Sequence, residues 1–116
     1  MNQHPSMPPM RLCARNAVLV IRLQSRSLAH RPPHKAQWLC IHRLEGAWTD
    51  PNAPYYGGLQ MDEDFMATYG APFYRALGTA DRWPPFVQVA VALAAYYSGR
   101  GFYPWPNTAR ACGVLP

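Results

Sequence analysis

Glu45 lies in the stretch Trp38-Leu-Cys-Ile-His-Arg-Leu-Glu45-Gly-Ala-Trp48, and after a Pro/Asn loop the chain continues Tyr55-Tyr56-Gly57-Gly58-Leu59-Gln60. One carboxylic acid flanked by aromatic residues and facing a glycine turn is a set suited to breaking a bond between two sugars. An acid that hands over a proton near neutral pH needs apolar surroundings that keep it protonated. Sugar rings need flat aromatic faces to lie on, and amides to bond their hydroxyls. Leu44, Trp48, Tyr55, Tyr56 and Gln60 are of the right type for those tasks. A glutamate is equally at home exposed at a helix end, so the residues alone point to the chemistry without fixing it.

Other residues have competing roles. Asp62 reads first as the N-cap of a helix, but its place just after Gln60 also lets it orient a water or a sugar hydroxyl. Asp50, in the loop Thr49 to Pro54, is a turn residue or a second carboxylate. Gly57 and Gly58 supply turn geometry or a close approach to substrate. Trp38, Trp83 and Phe86 read as core. Trp48, Tyr103 and Trp105 read as core or platform, because Tyr103-Pro-Trp-Pro106 is a stiff segment expected to be exposed along a groove. His42 and Glu45 share a helix face, but no third ligand stands at metal-site spacing, so no metal or cofactor is expected. No organised Ser/His/Asp or Cys/His set supports a nucleophile.

These residues need elements to hold them. From His34 to Gly46, Trp38, Leu39, Ile41 and Leu44 recur at helical spacing, and Gly46 ends the run. Glu45 then falls in the last turn, where the negative helix end disfavours a carboxylate anion. Tyr55 to Met61 is expected to be short and extended, with Gly57-Gly58 as a turn or one limb of a small hairpin. Asp62 opens a helix to Tyr69, with Glu63 and Asp64 well placed in its first turn, and Gly70 stops it. Ala71 to Gly78 holds a further turn or two. Pro84 or Pro85 starts the longest helix, running to about Ser98, apolar nearly all round and therefore buried. Asn107 is expected to cap a last helix over Thr108–Cys112. The expected fold class is α+β, predominantly helical, with a minimal β element.

At 116 residues the chain holds at most one domain. The net charge of +5 is unevenly spread: six of the eleven basic residues lie within the first 35 positions, where there is no acid. Beyond them, five arginines face six Asp/Glu, so no basic face is left to track phosphates, and nucleic acid is not an expected partner. The division is therefore 1–33, a disordered or leader-like basic segment, and 34–116, the folded domain. The apolar run Ala17 to Ile21 is too short for a secretory h-region of about 7–15 residues. Nothing approaches the roughly 18 apolar residues of a membrane span, so stable insertion is not expected. Three cysteines are an odd number. Cys40 and Cys112 bracket the domain as a disulfide or as buried thiols, and Cys13 is left over.

Four pieces together resemble the lysozyme-like domain of actinobacterial resuscitation-promoting factors and related transglycosylase-like wall enzymes. They are Cys40 with Glu45, Gly46 and Trp48; Tyr55-Tyr-Gly-Gly-Leu-Gln-Met-Asp62; Gln88-Val-Ala-Val-Ala92; and Gly101-Phe-Tyr-Pro-Trp-Pro106 with Cys112-Gly113. The likeness spans about Lys35 to Leu115, and Tyr-Tyr-Gly-Gly-Leu-Gln is its most specific part. One departure is the spacing: the family commonly sets the Cys directly before the Glu, whereas here Cys40 precedes Glu45 by five positions. The resemblance implies a small lysozyme-like domain that pairs Cys40 with Cys112. Closing that loop would remove roughly 4 kcal/mol of unfolded-chain entropy, and a disulfide implies an oxidising compartment. It further implies a secreted or wall-associated monomer that cleaves β-1,4 bonds of peptidoglycan glycan strands, other wall hydrolases being candidate partners. Glu45 would be acid and base, with Trp48, Tyr56, Gly57, Gln60, Asp62 and Trp105 against the glycan. The absence of a convincing second acid favours lytic transglycosylation over a two-carboxylate mechanism. Two alternatives stand beside it: a non-catalytic wall-glycan-binding module, and a protein–protein module whose basic head docks on an acidic partner.

Overall fold

The computed structural model describes residues 33–116. The leader-like segment up to residue 32, with its apolar run Ala17 to Ile21 and Cys13, lies outside the described residues. The rest is built from five α-helices: α1 Lys35–Glu45, α2 Glu63–Tyr69, α3 Ala71–Leu77, α4 Pro85–Ala95 and α5 Pro106–Ala111. A 3-10 turn at Ala80–Arg82 precedes α4, and a wider π turn, Tyr96–Arg100, follows it.

The helix boundaries follow from local chemistry. Asp62 accepts a hydrogen bond from the Phe65 N–H at 2.8 Å, which satisfies an orphan donor of α2. Gly70 closes α2 and its own carbonyl starts α3. Pro85 opens α4 at the first helical position, where its missing N–H costs nothing. The α-helical bonding ends at Ala95, and the chain stays helical through the expected end at Ser98 as the wider π turn, until Gly99 takes a φ of 111° that no helix continues. The last helix begins at Pro106 with Trp105 as N-cap, so the expected cap at Asn107 is corrected to a position inside the helix. Here too the proline ring presets the first turn.

The expected β element reduces to one antiparallel bridge, Tyr56 with Met61, bonded both ways at 2.9 Å. No strand occurs among the described residues, so the α+β expectation is corrected to a helical fold. The reason is length. Met61 is followed at once by the Asp62 cap of α2, which leaves no residues to lengthen a ladder.

The core sits around α4, which buries Val87, Gln88, Val89, Val91, Ala92, Leu93 and Ala95. α2 and the 96–100 turn pack against it, while α5 packs on α1. Trp38 of α1 is fully buried and meets Phe102 at 4.8 Å and Trp105 edge-on at 5.1 Å between centroids. Such tilted and edge contacts suit the ring quadrupoles. Cys40 and Cys112 form a disulfide that closes a separation of 72 residues and ties α1 to the end of α5. No helix among the described residues is long and apolar enough to cross a membrane.

Candidate functional site

Glu45 is the last residue of α1 and is half-buried. Its Oε2 accepts a hydrogen bond from the Thr108 hydroxyl at 2.7 Å. Thr108 belongs to α5, the helix that the disulfide holds against α1, so two elements far apart in sequence fix one carboxylate. Among the described residues no other hydrogen bond reaches it. Leu44 is 54% exposed, and Trp48 stacks on His42 with ring centroids 3.7 Å apart. After Glu45 the backbone is extended at Gly46 rather than left-handed. What Gly46 supplies is space, since a Cβ there would stand 3.0 Å from Gln60 Nε2 and 3.3 Å from Asp50 Oδ2.

The glycine bend is locked from both sides. Among the described residues Gln88 is the one polar residue in the buried core, and its amide is fully used. Its Oε1 accepts from Gly58 N–H at 2.8 Å, and its Nε2 donates to the carbonyls of Trp83 at 2.9 Å and Trp48 at 3.0 Å. A buried amide with every partner present specifies one arrangement, whereas a missing partner is costly. From the opposite side His42 donates through Nδ1 to the Gly58 carbonyl at 3.1 Å. Gly57 has a φ of 76°, and a Cβ on it would lie 2.5 Å from Gln88 Oε1. A Cβ on Gly58 would lie 2.4 Å from Trp48 Cε3 and 2.5 Å from His42 Nδ1.

Beside the bend, Asp50 and Gln60 form a polar tie. Asp50 Oδ1 accepts from Asn52 N at 3.0 Å and from Asn52 Nδ2 at 2.8 Å, and Oδ2 accepts from Gln60 Nε2 at 2.9 Å. The Asn52 backbone N–H, then Gln60, hold the Asp50 carboxyl below its ordinary range. Gln60 Nε2 also donates to the Gly57 carbonyl at 2.9 Å. The Gln60 backbone takes a φ of 49°, uncommon for a residue with a side chain.

A groove of about 410 Å³ runs along α2. Asp62, Asp64, Phe65, Thr68 and Tyr69 line it from the α2 side, and Tyr55, Gln60, Trp105 and Arg100 face it from the rest of the fold. Of the residues expected at a glycan, Gln60, Asp62 and Trp105 reach this groove, while Tyr56 and Gly57 support the bend behind it. Trp48 lines a separate apolar cleft of about 140 Å³ with Leu39, Phe86 and Val89. Trp105, expected on an exposed segment, is 4% exposed and donates its indole N–H to the Leu59 carbonyl at 2.7 Å. Glu45 is not among the groove-lining residues, and it is joined to that wall through Thr108, three residues beyond Trp105. No cluster of three metal-ligating side chains occurs among the described residues.

Sequence reasoning gave no role to Thr108, Gln88, Tyr69 or Arg100. Gln88 carried a usable signal: a lone amide inside an otherwise apolar helix must find partners when buried. Arg100 stands between Gly99 and Gly101, a pattern that signals a turn and not a side-chain role. Thr108 carried none, since its partner lies 63 residues away. No protein-family model, curated protein or solved structure matches the chain.

Proposed function

We propose that the chain cleaves β-1,4 bonds of peptidoglycan glycan strands, with Glu45 as both acid and base. The observation that carries this reading is the Glu45 carboxylate at the end of α1, held by the Thr108 hydroxyl, with Gln60 packed against the following Gly46. The neighbouring groove offers aromatic surface from Tyr55 and polar groups from Gln60 and Asp62, the combination that saccharides require. In this scheme Glu45 protonates the glycosidic oxygen as the C–O bond breaks. The resulting carboxylate then takes the proton of the sugar's own primary hydroxyl, whose oxygen closes on the anomeric carbon as an anhydro ring. Asp50 is engaged at one oxygen by Asn52 and at the other by Gln60, which favours this route over one needing a second free carboxylate.

The test is mass spectrometry of purified peptidoglycan after incubation with the protein. Anhydro-muropeptides are expected, and Glu45→Gln should abolish them while barely moving Tm, because the amide oxygen still accepts from Thr108. Undiminished release by that variant would remove Glu45 from the mechanism, and reducing ends would indicate hydrolysis instead. The position of Glu45 outside the groove lining favours a second reading, a glycan-binding module without turnover. It predicts glycan affinity with no products, and equal binding by Glu45→Gln.

A further inference from the structure

The groove along α2 is electrically polarised. Asp62 and Asp64 stand at the start of α2, whereas Arg100, the one cation among the lining residues, stands over its end. The Arg100 guanidinium lies 5.9 Å from the centroid of the Tyr69 ring. At 1.5 Å of rise per residue, Asp64 and Tyr69 are separated by about 8 Å along the helix, more than one sugar ring. Asp62 is already engaged as the cap of α2, which leaves Asp64 as the free carboxylate of the acidic end.

Arg100 is presented by a tight turn. Gly99 and Gly101 flank it with φ of 111° and 57°, conformations that bulkier residues resist. Its neighbour in the groove, Tyr69, is a phenol held below its ordinary range by Ser98 and then by Arg100, in keeping with a guanidinium beside the hydroxyl. The Tyr69 ring, with the guanidinium over its face, fixes the position of that group without cancelling its charge. An arginine fork that is oriented, charged and beside aromatic surface is suited to binding a carboxylate.

We propose that Arg100 is the anion-recognising residue of this groove, selecting saccharides that carry a carboxylate over neutral ones and seating that carboxylate at the Tyr69 end. This rests on the glycan reading of the groove and adds a preference within it. The carboxylate has two sources in wall glycan, the lactyl ether of a peptide-free strand and the acids of an attached peptide stem. The acidic end of the groove would turn the same group away, so the bound strand acquires a direction.

Calorimetric titration of the full chain at low salt tests it with three probes. They are chitotetraose, a peptide-free tetrasaccharide of alternating N-acetylglucosamine and N-acetylmuramic acid, and the same tetrasaccharide bearing stem peptides. At least one carboxylate-bearing probe should bind about tenfold more tightly than chitotetraose, and which one does so identifies the source. Arg100→Gln should erase that margin, bringing the carboxylate-bearing probes to the same affinity as chitotetraose, while Arg100→Lys keeps part of it. Equal affinities across the probes, or a margin that survives Arg100→Gln, would overturn the role of Arg100 and leave the glycan reading standing. Failure of all three to bind would sink the glycan reading itself.

Discussion

Two hollows flank the polypeptide between α1 and α2, and they differ in kind. The larger, of about 410 Å³, is walled by Gln60, Asp62, Asp64, Tyr69, Arg100 and Trp105. The smaller, of about 140 Å³, is walled by Trp38, Leu39, Trp48, Phe86 and Val89, with Lys35 at its edge. The aromatic residue nearest to Glu45 in sequence, Trp48, went to the apolar hollow. The aromatic residue beside the polar groove, Trp105, comes from 60 positions later in the chain. Adjacency along the chain therefore said little about which rings a substrate would meet. The direction in which α1 ends, and the helix that packs on it, decided that.

The largest expected effect comes from cutting the tie between these regions. Replacing Cys40 and Cys112 by serine should lower stability by about 4 kcal/mol in denaturant unfolding, on the loop-entropy account. It should also loosen Thr108 from Glu45, so any glycan turnover should fall further than the fraction of folded protein explains. Next is the lock beneath the glycine bend. Gln88→Leu strands the Gly58 N–H and two carbonyls, and about 3 kcal/mol of destabilisation is expected. A neutral outcome would mean that water replaces the amide and that the bend does not depend on α4.

Trp48 offers the sharpest contrast. Trp48→Ala should cost about 2 kcal/mol, less than a fully buried Trp because it is only half-buried. If the two hollows are independent, glycan affinity of the folded fraction stays as it was. A large loss of affinity with little loss of stability would return Trp48 to the substrate and erase the distinction drawn here.

The smallest effect is a pH dependence. The Asp50 carboxyl is held below its ordinary value of 3.8 by Asn52 and Gln60. The folded chain therefore binds that proton less tightly than the unfolded chain. The resulting stability is present above the unfolded value and is lost as pH falls through the folded one. Asp50→Asn should flatten that segment, so that Tm profiles of variant and parent diverge above about pH 4 and approach each other in stronger acid. Parallel profiles throughout would show that the Asp50 bonds add nothing.

Much of the helical frame was legible before any coordinates, and for identifiable reasons. Asp62 and Gly70 bound α2 at the expected positions, and Pro85 opens α4, because caps and proline act within a few residues of themselves. Cys40 and Cys112 are bonded as the family resemblance implied. The site was less legible. Glu45 does sit at the end of a helix, yet its partner Thr108 and the groove residues Tyr69 and Arg100 are brought in by packing among α1, α2, α5 and the 96–100 turn, which no local pattern encodes. The β element failed for a plain reason: the span from Tyr56 to Met61 spells a turn, and one bridge exhausts it.

The second glycine of the bend has a mechanical meaning that its torsion angles do not convey. Gly58 is filled on one side by the rings of Trp48 and His42, so a methyl group there would act as a wedge driven against the first helix. His42 is one turn before Glu45, and the push would arrive at the end of that helix as a displacement of its carboxylate. Gly57, braced by Gln88, would send the same push into the fourth helix instead. Alanine at these two neighbouring positions would thus jam the molecule in opposite directions, and only the wedge at 58 bears directly on the helix that carries the acid.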